Sequence, residues 1–393
     1  MTNRVLLIKM FPHDGLSSAN QRMYGLVSGL VRAGFKIDLL TVPSNEELVK
    51  RDLTKIPFYG QIHVYYACAK PRPINSKKGS YLKQSFIKLL KNLYHKFSLF
   101  DRSLGVSKSV SLKCLPTQKY DLVIPISDPK TSYVCLNSLI KQGLLFDGCV
   151  EYWGDPLFGD ISSQSILPSF YKKKVESEFL RLADLIVYTS PFTLERQRQI
   201  YKKFSNKMIF VPTPAIKPIL YPACQNNVFM IGYFGAYESH IRDIMPLYKA
   251  CEALGKEVFL TVVGNSDLKL ENKDNIEIRG RMDVNELEKN ADLLICLLNK
   301  KGTQIPGKLY FNAATNKRVL VIVDGDRQDE MIEFLKKFDR FYICHNDFSS
   351  IVESLIKIKV ENQEPVPSPC VDSLSVVETI LKELRCRKNE QKR

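Results

Sequence analysis

Residues 4–42, RVLLIKMFPHDGLSSANQRMYGLVSGLVRAGFKIDLLTV, hold the pattern on which the fold reading turns. The run 4–9 (RVLLIK) is short and rich in leucine and β-branched residues, and 36–42 (KIDLLTV) repeats that composition. Between them come a loop with Pro12 and Gly15, then 21–33 with apolar residues at helical spacing, then Gly34, a helix terminator. Strand, loop, helix, glycine, strand is a βαβ unit, and that connection makes its two strands parallel members of one sheet.

Outward from this unit the alternation recurs at 120–126 (YDLVIPI), 148–152 (GCVEY) and 184–189 (DLIVYT), so residues 1–212 read as one doubly wound domain. Residues 211–222 (VPTPAIKPILYP) carry Pro212, Pro214, Pro218 and Pro222, a composition that suits an interdomain linker. A second series follows: 229–234 (FMIGYF), a helix over 244–254, 257–263 closed by Gly264, then 276–279, 293–298 and 319–323. Residues 223–372 thus read as a second parallel α/β domain, and 393 residues suit two domains of roughly 150–200 residues each. A helix over 373–385 is expected to pack back on the first domain, with the charged end RCRKNEQKR frayed.

Apolar residues at 45% and charged residues at 25% are the composition of a globular chain rather than a disordered one. The longest apolar runs fall far short of the roughly 18 residues that span a bilayer, and the N-terminus reads as a strand rather than a signal peptide, so a cytoplasmic location is expected. Ten cysteines scattered singly and five distant histidines give no metal spacing; reduced thiols and no metal are the expectation.

The net charge of +15 points to anionic partners. Residues 70–119 hold twelve Lys/Arg against the single acid Asp101. Across 77–97, Leu82, Phe86, Leu89, Leu90, Leu93, Tyr94 and Phe97 recur every three or four residues among lysines. A basic amphipathic helix of this kind suits an anionic membrane surface; the alternative is a helix packed on its own domain with solvated lysines. No RNP, KH or helix-turn-helix pattern accompanies the aromatics, so nucleic acid is not expected as a partner.

In parallel α/β domains, ligands sit at the carboxyl ends of the strands, where helix N-termini present free N–H groups. Two stretches have the chemistry for a diphosphate there. In 231–250 (IGYFGAYESHIRDIMPLYKA) a strand ends at Gly235 and Arg242 stands before a helix, bringing amides and a guanidinium to one phosphate; the bland reading is a surface Arg paired to a carboxylate. In 302–312 (GTQIPGKLYFN) Pro306 and Gly307 open a helix with Lys308 in its first turn. Asp128 and Asp155 are the acids nearest strand ends, and Trp153 is either a sugar platform or a core aromatic. Asp324-Gly325-Asp326 reads as a turn.

The blocks GYFGAYESHIRDIMPLYKA, LTVVGNSD, IEIRGRMDVNELEKNADLLICLL and IPGKLYFNAATNKRVLVIVDGD resemble the successive C-domain blocks of family 4 retaining glycosyltransferases, in the branch that builds bacterial capsule, O-antigen and exopolysaccharide. FPHDGLSSANQRMYGLVSGLVRAGFKIDLLT, VEYWGDPL and ADLIVYTS in the first half are similar to the same family. The resemblance implies the GT-B fold, two Rossmann-like domains facing a cleft, with a nucleotide-sugar donor as co-substrate and no other cofactor. It places the donor-phosphate cations on Arg242 and Lys308 and the cradling amides on Ile305, Pro306 and Gly307. It brings Gly235 and Gly264 to the donor site, the base to the loop of Gly280 and Arg281, and Gly15 near the donor phosphate. Asp155 faces the acceptor hydroxyl or donor sugar, and the acceptor is lipid-linked or a polysaccharide.

One departure matters: the family's two glutamates fall on Thr303 and Phe311, neither of which offers a carboxylate, leaving Asn312 as the candidate for the ribose contact. Two rivals to a transferase therefore stand, a nucleotide-sugar epimerase of the same fold and a catalytically silent GT-B subunit that binds a sugar nucleotide or assembles with a partner.

Overall fold

The computed structural model describes residues 3–44, 50–68, 93–94, 96–224, 226–361 and 365–391. The chain divides into two compact units, Met1–Pro212 with Ser373–Arg393, and Thr213–Asp372. The first is built on strands β1 (Arg4–Ile8), β2 (Lys36–Thr41), β3 (Ile62–Tyr66), β4 (Lys119–Pro125), β5 (Leu145–Trp153), β6 (Leu185–Tyr188) and β7 (Met208–Phe210). Their order is β3-β2-β1-β4-β5-β6-β7, and every pairing is parallel. Val5, Leu6, Leu7 and Ile8 are fully buried because helices cover both faces, and hence the strand reads as a continuous apolar run. The helix Ser18–Arg32 starts where the Ser17 hydroxyl accepts the Asn20 amide at 3.1 Å. It stops at Gly34, whose φ of 85° suits a residue without Cβ.

The second unit holds β8 (Phe229–Phe234), β9 (Val258–Val263), β10 (Ile276–Arg279), β11 (Leu293–Leu297), β12 (Arg318–Val323) and β13 (Tyr342–His345) in the order β10-β9-β8-β11-β12-β13, again parallel throughout. Each sheet therefore has one topological switch point, between β1 and β4 in the first and between β8 and β11 in the second. Crevices at such points, outside the carboxyl ends of the strands, are where ligands bind in open α/β sheets.

The structure departs from the sequence reading in several places. β3, β7 and β13 carry no clear apolar run and add an edge strand to three of the four sheet margins. The proline-rich stretch is not a free linker: the Ala215 amide donates to the Val371 carbonyl at 2.9 Å and the Ile219 amide to the Ala314 carbonyl at 2.9 Å, fixing it to the second unit. The final helix runs Ser373–Gln391 rather than ending at 385 with a frayed tail, and packs within the first unit through Ser373, which bonds Arg32 and Ser28. Of the expected basic segment 70–119, residues 70–92 and 95 lie outside the described residues, among them most of the amphipathic run 77–97. Its later part is partly core: Val106, Val110, Leu112 and Leu115 are buried against β1 and β4. Among the described residues, no helix is long and apolar enough to cross a membrane.

Candidate functional site

In the second unit the loop after β8 lies across the switch point. The Gly235 amide donates to the Val263 carbonyl at 2.9 Å and the Tyr237 amide to the Asn265 carbonyl at 3.1 Å, which seats the loop on the end of β9. Gly264 permits this approach, since a Cβ there would lie 1.9 Å from the Gly235 carbonyl oxygen. Gly264 thus has a packing task beside any role at a ligand.

The Arg242 guanidinium folds back over this loop. Its Nη1 donates to the Ala236 carbonyl at 2.7 Å, while its Nε is buried with no partner. A buried guanidinium nitrogen without an acceptor costs free energy that an anion would return. Asn299, just after β11, likewise has a buried Oδ1 without a partner while its amide donates to the Gln304 carbonyl at 2.9 Å.

Lys308 lies in the helix Gly307–Ala313, which Pro306 caps without a side-chain hydrogen bond. Its ammonium bonds Glu288 Oε1 at 2.9 Å, and Glu288 also accepts from the Tyr221 hydroxyl at 3.2 Å. Sequence reasoning missed Glu288, because a glutamate in NELEKN looks like any solvated helix residue. Arg242 and Lys308 nevertheless share a neighbour: burial pushes the Cys296 thiol up to about 12, and the charges of both cations pull against that rise. Asn312 is buried and lines a crevice with Lys308, Glu288, Gly232, Phe234 and Ile295. Ile305 is buried, Thr303 and Phe311 are half-buried, and Arg281 is exposed on the loop after β10, the edge strand, away from the switch point.

The first unit carries a second charged cluster at its own switch point. Lys9, one residue beyond β1, is fully buried, and its Nζ donates to the Asp128 carbonyl at 2.7 Å. Burial lowers the Lys9 ammonium to about 7, with the Arg22 charge adding to the effect and Asp128 opposing it. Arg22 donates to the Ser127 carbonyl at 3.1 Å and approaches Asp128 at 3.4 Å. It passes directly over Gly154, where a Cβ would lie 2.1 Å from the guanidinium. Lys130 bonds Asp128 and, at 2.8 Å, Asp160.

Within this cluster the two acids predicted from sequence behave oppositely. Burial disfavours the Asp128 carboxylate, but the Lys130 and Arg22 charges outweigh it and hold the group well below the usual range. Asp155 is raised by burial and by the Asp128 and Asp160 charges. The loop bearing Asp155 is held by buried Glu176, which accepts the Leu157 and Phe158 amides at 2.9 Å each and the Tyr201 hydroxyl at 2.7 Å. Gly15 lies in the first loop, its carbonyl accepting from the Asn20 side chain at 2.8 Å. Lys9, Arg22, Lys130 and Asp160 were not singled out from sequence; a charged residue closing the apolar run RVLLIK was the available signal.

Trp153 is a core residue, fully buried and stacked on Tyr133 at 4.1 Å, which excludes it as a sugar platform. Asp324-Gly325 forms a turn with Gly325 at φ 90°, and among the described residues no group of three or more His, Cys, Asp or Glu could hold a metal.

No family model matches the chain, and no curated protein does. Solved structures match along the whole length. Anabaena HepE in complex with UDP and glucose has a TM-score of 0.54 at 11% identity over 100% of both chains. A glycosyltransferase from Rickettsia africae has a TM-score of 0.52 at 13% identity, over 99% of this chain and 97% of that one. A UDP-N-acetylglucosamine 2-epimerase has a TM-score of 0.50 at 11% identity, over 96% and 95%. At these identities the likeness is one of fold: the two parallel α/β units have the GT-B architecture.

Proposed function

We propose that the chain is a glycosyltransferase that moves a sugar from a nucleotide-sugar donor to a lipid-linked or polysaccharide acceptor, with retention at the anomeric carbon. The observation that carries this reading is the buried Arg242 Nε, which has no acceptor in the loop after β8, with Lys308 supplying a second cation in the first turn of the helix after β11. HepE supports a uridine nucleotide as the first donor to try. As the bond from the anomeric carbon to the diphosphate oxygen breaks and the acceptor oxygen bonds that carbon, charge grows on the departing diphosphate, which takes up the proton that the acceptor hydroxyl loses. Arg242 and Lys308 stabilise that charge, each by about 1.5–3 kcal/mol, the worth of a charged hydrogen bond. In this reading Lys308 exchanges Glu288 for a phosphate oxygen when the donor arrives. Asp155, in the first unit, contacts the acceptor hydroxyl. Retention, metal independence and a place at the inner face of the cell membrane, in surface-polysaccharide assembly, follow from the family resemblance.

Thr303 and Phe311 in place of glutamates, together with the engagement of Lys308 by Glu288, favour the silent-subunit reading. The epimerase neighbour keeps that alternative open. The test incubates the full chain with UDP- and GDP-sugars and a membrane lipid extract and follows both nucleotide and sugar. Lipid-dependent release of nucleoside diphosphate, lost in Arg242→Ala, supports transfer. Interconversion of the sugar without release would assign an epimerase, and binding without either would assign a silent subunit.

A further inference from the structure

The first turn of the helix Ser169–Leu180 does not obey the pattern of the rest. Its later turns bury Glu176, Phe179 and Leu180, whereas Phe170 is 74% exposed and Tyr171 44%. Packing within the described chain gives no reason for two adjacent aromatic rings there. Beside them run other exposed apolar side chains: Ile166, Leu93, Tyr94 and Phe97, the last 62% exposed. The two stretches are joined, since the Ile166 amide donates to the Lys96 carbonyl at 2.9 Å. An exposed apolar patch drawn from two chain segments marks an interaction surface.

We propose that this surface, Leu93, Tyr94, Lys96 and Phe97 with residues 166–174, docks on an anionic lipid bilayer. The charge identifies the occupant. Residues 166–174 (ILPSFYKKK) hold Lys172, Lys173 and Lys174 and no acid, and the 93–97 stretch adds Lys96. Lysine is depleted from the cores of protein interfaces, whereas aromatic rings beside lysines are the composition that enters a headgroup region rich in anionic lipid. The lysines are placed for it: Lys173 Nζ lies 4.8 Å above the Phe158 ring and Lys172 Nζ bonds the Ser165 carbonyl at 2.5 Å, so their stems lie along apolar surface with the charge at the rim.

Position links the patch to chemistry. The segment running from the end of β5 to this helix carries Asp155 and Asp160, and Glu176 clamps it at Leu157 and Phe158. Docking would therefore hold a lipid surface next to the charged cluster of the same unit. The inference rests on the transferase reading only for what the lipid carries, the acceptor; docking itself needs no substrate.

Sedimentation of the full chain with vesicles of phosphatidylglycerol and phosphatidylcholine, against phosphatidylcholine alone, tests it. The native chain is expected to bind only the anionic vesicles, less at high salt. Phe170→Ser with Tyr171→Ser, and separately Lys172→Gln with Lys173→Gln and Lys174→Gln, are expected to weaken binding about tenfold or more. UDP affinity is expected to stay unchanged in both. Equal binding to neutral vesicles, or variants that bind as the native chain does, would overturn the proposal. So would an aromatic variant with a lowered melting temperature and unchanged lipid binding, which assigns those rings to packing within the chain. Failure of the native chain to bind UDP counts against the donor site and leaves the lipid result standing.

Discussion

Glu151 is a carboxyl group whose surroundings disfavour the ion. It is 1% exposed in β5, its Oε2 accepts the Trp153 Nε1–H at 3.0 Å, and burial raises it from the ordinary 4.5 to about 8. A folded pKa above the unfolded one means that the native state binds the extra proton, so its stabilising contribution is complete below 4.5 and is lost as pH rises through 8. Compared with Glu151→Gln, the native chain is expected to lose about 1.4 kcal/mol of stability per pH unit across that window. Denaturant unfolding of both proteins at several pH values measures this, and parallel profiles would refute it. At the same scale, Arg242 and Lys308 stand out in the sequence as candidates because each follows an apolar strand with a glycine or proline break. Lys9 and Arg22 do not stand out: a partner more than a hundred residues away, as Asp128 is for Lys9 and Ser127 for Arg22, leaves no local trace. Trp153 shows the converse, a residue whose polar possibilities in sequence were overruled by burial.

Among elements, the C-terminal helix depends on one small side chain. Gly29 of the Ser18–Arg32 helix lies under the start of Ser373–Gln391, and a Cβ there would fall 2.0 Å from the Ser373 carbonyl oxygen and 2.5 Å from Val377 Cγ2. Gly29→Val is expected to cost about 1–3 kcal/mol, because neither backbone nor a buried branched side chain can yield cheaply. A melting temperature equal to that of the native chain would show that the helix is not held at this point. The central strands β1, β4, β8, β11 and β12 were readable because burial on both faces forces unbroken apolar runs. The edges were not: β3 (IHVYY) is largely solvent-facing, β7 spans three residues, and β13 (YICH) alternates too briefly to register. The helix end was misjudged because a charged sequence looks frayed, although Arg387 pairs with Glu383 at 3.0 Å within it.

Taken as a whole molecule, two sheets of like topology each bring charge to their own switch point, and the two charges differ in kind. The first unit holds a compensated cluster of acids and bases around Asp128 and Asp155; the second holds two cations, in the loop after β8 and the helix after β11, one with an orphaned donor. A cluster in which acids and bases compensate one another suits a neutral hydroxyl, and an under-compensated cationic site suits a diphosphate. The measurement that separates these roles most directly is calorimetric titration of UDP into the native chain, Arg242→Ala and Lys9→Met. The expected result is binding by the native chain, unchanged affinity in Lys9→Met, and a loss of about tenfold to a hundredfold in Arg242→Ala, the worth of one charged hydrogen bond. Equal affinity in Arg242→Ala, or no binding by the native chain, would contradict the donor site.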